Sequence, residues 1–264
     1  MKFLKLNKTL IATFALATVL YSCKKEKPTE TADLQKPEAM SASQISGIKI
    51  CTERSLEDGT TPRGAVITST KWPNGSTIKV SLNGGTAAIR AKVIQFAKTW
   101  ETYANIKFNF VTNDNTAKIR VTFNSGGSWS YIGKSTPSSG ATMNYGWFDS
   151  STPDSEYSRV VIHEFGHALG MIHEHQHPLV SIPWDKPAVY AYYAAPPNNW
   201  SQADVDNNLF AKYSTTQTNF SAYDKASIMH YAVPNELTIG DFEVGWNTVL
   251  SPTDKSFIAS VYPF

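Results

Sequence analysis

The chain has 264 residues, 41% hydrophobic and 12% aromatic, enough for one well-packed domain of about two hundred residues in two lobes. The formal charge of +2 divides unevenly: up to Arg63 ten basic residues face seven acidic ones, and from Gly64 on fourteen face fifteen. The later part is close to neutral and carries no suggestion of a nucleic-acid footprint.

Residues 1–22 read as a signal peptide. Lys2, Lys5 and Lys8 precede an apolar run at 10–20, eleven residues and too short to span a bilayer as a finished helix. Leu20-Tyr21-Ser22-Cys23 resembles a bacterial lipobox. On that resemblance Cys23 is the lipidated first residue of an exported outer-membrane lipoprotein, held at the cell surface or released by processing; the alternative is an ordinary signal peptide cleaved nearby. A diacyl anchor supplies two chains, enough for stable attachment, and is the only membrane contact expected. Residues 24–46 are rich in Lys, Glu, Pro, Thr, Ala and Ser without apolar periodicity and predict a disordered tether. The chain has two cysteines, so a lipidated Cys23 leaves Cys51 with no partner.

Beyond the Trp72-Pro73-Asn74-Gly75 turn, a strand is expected at 77–82 and an amphipathic helix at 86–104, where Ile89, Val93, Phe96, Ala97 and Trp100 recur at helical steps. Alternation predicts strands at 106–111 and 117–123. A Gly/Ser-rich loop follows at 124–140, then an edge strand at 141–147 that offers unsatisfied backbone groups to an extended peptide running antiparallel to it. A second long helix is expected from an Asp154 or Ser155 cap to about Leu169, with Ile162, Phe165 and Leu169 toward the core. The remainder reads as irregular, with helical patches at 185–194 and 201–213. Ser251-Pro252-Thr253-Asp254 then starts a final helix, with Ser251 as cap and Asp254 as its reciprocal acid, running to about Tyr262.

The second long helix carries the chemistry: residues 163–173 read His-Glu-Phe-Gly-His-Ala-Leu-Gly-Met-Ile-His. Residues four apart share a helix face, so His163 and His167 grip one ion from the same side. Gly170 permits a left-handed turn that ends the helix and returns His173 as a third ligand. Three neutral imidazoles leave one tetrahedral vertex of a zinc ion open to water, whose pKa falls to roughly 7 there. Glu164, one step round from His163, is placed as the general base that takes the water proton and passes it to a departing amine. The reaction implied is hydrolysis of peptide bonds without a covalent intermediate.

This stretch resembles the long zinc motif of the metzincin metallopeptidases. Ser227-Ile228-Met229-His230-Tyr231 resembles their Met-turn in the form seen in the astacin family (peptidase family M12A), and Ser128-Trp129-Ser130-Tyr131-Ile132-Gly133 resembles an astacin segment too. The resemblance implies an α+β zincin fold: an N-terminal lobe, about 64–173, with a twisted mixed sheet and two long helices, and an irregular C-terminal lobe, about 174–264, with a terminal helix. It implies one catalytic Zn²⁺ on His163, His167 and His173, Met229 as an apolar floor beneath it, and Tyr231 as a phenol that swings away to hydrogen-bond the oxyanion. It also implies that Glu174 pairs with the amine freed when a prosegment is removed, the alternative being a surface acid. The chain departs from the family in having no cysteine after Cys51, where astacins usually carry two disulfides, and in running Gln176-His177-Pro178 after Glu174-His175.

The expected product is a monomeric zinc endopeptidase acting on extended protein or peptide substrates, made as a latent precursor in which 23–63 hold anchor, tether and prosegment. Cys51 is the candidate latency ligand, with Asp58 its competitor and cleavage near Arg63 the release. The alternative is a catalytically inactive surface-binding lipoprotein that keeps the fold. His175 and His177 are expected to support the site or face solvent, and His230 to pack or hydrogen-bond within its turn. Asp204-Val205-Asp206-Asn207 reads as a solvated helix face rather than a calcium loop.

Overall fold

The computed structural model describes residues 49–54, 66–67, 69–196, 198–215 and 218–264. The apolar run at 10–20, Cys23, the stretch 24–46, Asp58 and Arg63 lie outside the described residues. No described helix is long and apolar enough to cross a membrane.

The architecture is α+β. Strands β1 (Cys51–Arg54), β3 (Thr77–Asn83), β4 (Lys107–Thr112), β5 (Ile119–Thr122), β6 (Ser128–Tyr131) and β7 (Met143–Asn144) form one mixed sheet in the order β1-β6-β7-β5-β3-β4. Every pairing is parallel except β6 with β7. β2 (Val66–Ile67) pairs antiparallel with β8 (Thr218–Asn219) in a separate ribbon. In β3 the alternate residues Ile78, Val80 and Leu82 point into the main core, as the period of two requires.

Helix α1 (Ala87–Ala97) is capped by Thr86, whose hydroxyl accepts from the Ile89 amide, and buries Ile89, Val93 and Ala97 at four-residue steps. It does not run on to 104; residues 98–102 tighten into a 3₁₀ turn, a common way for a helix to end. That turn buries Trp100, whose indole donates to the Ile162 carbonyl at 2.9 Å and ties α1 to the second long helix.

Helix α2 (Asp154–Ala168) starts at Asp154 itself, the first of its two expected caps. Pro153 takes the N-cap position with no side-chain bond, while Asp154 and Glu156 sit in the first turn, where acids complement the helix dipole. From Val160 to Ala168 every residue is buried, so the ligand-bearing face is as enclosed as the face opposite.

Two expectations about the sheet are overturned. The Gly/Ser-rich stretch expected to be a loop contains strand β6, whose inward residues Ser128 and Ser130 are small and polar and gave no apolar alternation. Its neighbour β7 is two residues long and lies inside the sheet, between β6 and β5. The strand flanking the site is β6, and β1 covers its outer side in parallel register, Cys51 opposite Ser128 and Arg54 opposite Tyr131.

The C-terminal lobe holds α3 (Lys186–Ala194), capped by Asp185, and α4 (Gln202–Val205), which opens into a wide turn at 206–210 and stops short of the expected 213. They bury Val189, Tyr193, Val205 and Leu209 against Tyr231 and Leu237. Helix α5 (Pro252–Val261) starts on the Ser251/Asp254 capping box read from the sequence.

Candidate metal centre

Helix α2 stops by a Schellman turn. The Gly170 amide donates to the His167 carbonyl at 2.8 Å and the Met171 amide to the Gly166 carbonyl at 2.9 Å, with Gly170 at φ +100°. The Trp72 indole donates to the Ala168 carbonyl at 2.8 Å and the Tyr262 hydroxyl to the Leu169 carbonyl at 2.8 Å, satisfying carbonyls a helix end leaves open. The chain then doubles back and delivers His173.

The Nε2 atoms of His163 and His173 each lie 3.1 Å from Nε2 of His167. The Nδ1 atoms face outward. That of His163 donates to the Ile228 carbonyl at 2.8 Å and that of His167 to the Met171 carbonyl at 2.9 Å; a carbonyl only accepts, so the proton is on Nδ1 and the Nε2 lone pair is free. His173 Nδ1 faces Glu53 Oε2 at 3.5 Å. Burial holds all three imidazoles below their ordinary pKa, His167 at about 4, so they are neutral at pH 7, as metal ligands must be. Lone pairs this close repel unless a cation lies between them. Tetrahedral zinc with bonds of 2.0–2.1 Å sets its nitrogens about 3.3 Å apart, so the three residues fit the ion. Among the described residues they are the one group of three or more His, Cys, Asp or Glu side chains that can share a metal.

Glu164 is fully buried; neither of its carboxylate oxygens has a nitrogen or oxygen donor as partner, and the group facing it is the Cys51 thiol. Burial pushes its pKa up to about 8, against the opposing pull of the Cys51 thiol and the Arg159 guanidinium. A cation held by the adjacent histidines would lower it further. The Met229 sulfur packs against Gly166, between His163 and His167 on α2; a Cβ added there would stand 2.5 Å from that sulfur.

Tyr231 stacks on His175 and packs against His173, both with ring centroids 4.3 Å apart. Its hydroxyl donates to the backbone carbonyl of Cys51. The Cys51 side chain is buried beside Glu164, and burial pushes its thiol well above the ordinary range. Glu53, two residues on and on the same face of β1, accepts from the Tyr213 hydroxyl, and Arg54 lies over the Trp129 ring at 3.6 Å. Residues 49–51 line a pocket of about 370 Å³ with Arg159, His163 and Tyr231.

His175 and His177 do not face solvent. Both are buried, bonded through Nε2 to the Asn208 and Ser221 carbonyls. His230 hydrogen-bonds the Tyr231 carbonyl and the Tyr223 hydroxyl, as its place in the turn suggested. Asp204 caps its own helix and Asp206 accepts from the Tyr190 hydroxyl. Glu174 is half-buried rather than a surface acid; it accepts from the Asp224 amide at 2.8 Å and lines a cavity of about 430 Å³.

Several residues that shape this centre gave no sequence signal. Trp72 read as part of a turn, Trp100 as an apolar helix position and Tyr262 as a helix end, yet each uses its polar atom on a carbonyl of α2 or of its C-cap Leu169. Gly166 was given no role, and the signal that could have exposed it is a glycine inside a helix that gains nothing from one. Glu53 gave no signal, because no strand was expected at 51–54.

The family model described as Astacin (Peptidase family M12A) matches residues 65–242. A solved structure of myroilysin is 65% identical over 76% of this chain and 99% of its own, with a TM-score of 0.73. A crystal structure of myroilysin is 58% identical over 88% of this chain and 100% of its own, with a TM-score of 0.61. High choriolytic enzyme 1, a hatching enzyme zinc-protease from Oryzias latipes (medaka fish), shares the fold at 20% identity over 76% of this chain and 98% of its own, with a TM-score of 0.53. No curated protein matches the chain.

Proposed function

The chain belongs to the astacin family of zinc metalloproteases, and from that premise we propose that it is a zinc endopeptidase made as an exported, lipid-anchored precursor that is latent until a prosegment ending near Arg63 is removed. The observation that carries the catalytic part is the meeting of three neutral imidazoles, with Nε2 of His163 and of His173 each 3.1 Å from that of His167, beside a buried carboxylate.

Zinc on His163, His167 and His173 polarises the scissile carbonyl and makes water acidic enough to attack near neutral pH. Glu164 takes the proton from the attacking water and carries it to the departing amine. Once its hydroxyl leaves the Cys51 carbonyl, Tyr231 donates to the oxygen that gains charge in the transition state. Met229 forms the apolar floor that keeps the imidazoles in place. The outer side of β6, vacated by β1, offers backbone groups to an extended peptide, and the pocket beside Arg159 and Tyr231 receives one of its side chains.

Two features support latency. The inward residues of β1 reach the machinery: Cys51 lies by Glu164 and Tyr231, and Glu53 faces His173. β1 occupies the outer edge of β6 in parallel register, so while it is in place that edge cannot pair with a substrate peptide. Cys51 is the proposed latency ligand: with zinc on the three histidines its thiolate would take the remaining vertex, the thiol proton going to the neighbouring Glu164 carboxylate. The amine freed by processing is proposed to enter the cavity at Glu174, which also holds Asp224 and Asp254 and has no Lys or Arg among its described lining.

Digestion of casein by the processed protein tests the catalytic reading. Hydrolysis should stop with a zinc chelator and return with added zinc. Glu164→Gln should keep stoichiometric zinc while its rate falls by about 10²–10⁴. Zinc-replete protein that leaves casein intact would favour the inactive binding module, and full activity in the Gln variant would remove Glu164 from the base role.

A further inference from the structure

Asp254 does more than a helix cap requires. At the start of α5 its Oδ2 accepts from the Ser251 amide at 2.9 Å and its own amide donates to Ser251 Oγ at 2.9 Å. Those two bonds complete a capping box. The chain contains a second box of the same design, Ser201 with Asp204, whose acid is exposed and bonds only to its cap. Asp254, by contrast, is 3% exposed and reaches across to the turn beneath the metal centre. Its Oδ1 accepts from Ser227 Oγ at 2.7 Å and its Oδ2 from the Ile228 amide at 2.8 Å. Ser227 Oγ in turn accepts from the Met229 amide at 3.1 Å. One carboxylate therefore fixes two consecutive amides, that of Ile228 directly and that of Met229 through the serine.

Ile228 is held on both sides. Its amide points to Asp254 and its carbonyl accepts from His163 Nδ1 at 2.8 Å. A group that fixes the ring orientation and tautomer of a ligating histidine changes metal affinity by about 10–100-fold when removed. Burying a carboxylate is costly unless its lone pairs are used, and here they are taken by a hydroxyl and two amides.

We propose that Asp254 is a positioning residue for the metal centre, setting His163 through Ile228 and the floor residue Met229 through Ser227, so that α5 clamps the Met-turn. This rests on the reading of His163 as a zinc ligand.

The experiment compares Asp254→Ala, Ser251→Ala and His163→Ala in the full chain. It reads zinc affinity by competition with a chromogenic chelator, the absorption spectrum of the cobalt-substituted protein, and thermal unfolding of the metal-free protein. Ser251→Ala removes the cap but leaves all of Asp254's bonds to the turn; it should lower the unfolding temperature with zinc affinity unchanged within about twofold. Asp254→Ala should weaken zinc about 10–100-fold and shift the cobalt spectrum. Should that variant not fold, Ser227→Ala, which leaves the cap whole and removes two bonds of the clamp, should weaken zinc several-fold. Zinc affinity and cobalt spectrum unchanged in Asp254→Ala, or in Ser227→Ala where that variant stands in, while His163→Ala loses zinc, would overturn the proposal alone. Retention of full zinc affinity by His163→Ala would overturn the ligand assignment and the proposal with it.

Discussion

The thiol of Cys51 lies by Glu164, whereas its backbone carbonyl accepts from the Tyr231 hydroxyl. A side-chain substitution removes the first contact and leaves the second. On the latent-precursor reading, Cys51→Ser should therefore raise peptide hydrolysis by the unprocessed chain at least about tenfold, since zinc holds thiolate sulfur well and a serine hydroxyl poorly. The rate should still fall short of the processed enzyme, because Tyr231 remains occupied. Rates on a quenched peptide before and after processing decide this. A Ser variant as inert as the parent precursor would shift the latency role away from Cys51. Legibility at this scale was uneven. The three histidines and Glu164 stood out because metal chemistry demands fixed residue types at fixed spacing. Asp254 showed only its capping half, since its bonds to Ser227 and Ile228 join positions 27 and 26 residues away.

Helix α2 and the turn at 227–231 touch where Gly166 meets Met229. An alanine Cβ at 166 would stand 2.5 Å from the sulfur and 3.2 Å from the Trp100 ring, with buried neighbours on every side. Overpacking of this kind costs about 1–3 kcal/mol. Gly166→Ala should lose that much in urea unfolding of the metal-free protein, despite the better helix propensity of alanine. A neutral or stabilising result would show that the floor is looser than its contacts indicate. The strands were read less well than the helices for a physical reason. β3, β4 and β5 carry the alternation that a half-buried strand imposes. β6 turns Ser128 and Ser130 inward, and the Ser128 hydroxyl accepts from the Gly146 amide, so its pairing is fixed by polar contacts that hydropathy does not register. β7 is held by Asn144, whose amide donates to the Asn124 and Gly127 carbonyls and plugs the loop into the sheet. Asparagine read from sequence suggests a turn, not an interior strand.

Over the whole molecule no described residues form a disulfide, and the chain beyond Cys51 contains no cysteine. Stability rests on the core and on the metal. A ligand present at a hundred times its dissociation constant stabilises by about 2.7 kcal/mol, and each kcal/mol moves the unfolding temperature of a chain this size by about 2–4 °C. Stripping zinc should therefore lower that temperature by about 5–10 °C, seen by calorimetry, and reducing agents should leave it in place. A midpoint indifferent to chelator would mean the three histidines are held by the fold without help from the ion.

The seal on α2 has a consequence for how the protein is made. Trp72 and Tyr262 close the same helix end although they stand 190 residues apart, and the Trp72 amide also donates to the Tyr262 hydroxyl. Synthesis at about 5–20 residues per second delivers His163 and His167 several seconds before Tyr262 arrives. Until then the last turn of that helix has bare carbonyls and α5 is not there to brace what lies beneath. The three histidines are therefore made well before the residues that close the helix end beside them, and the centre takes the arrangement described above only once Tyr262 has joined Trp72 there.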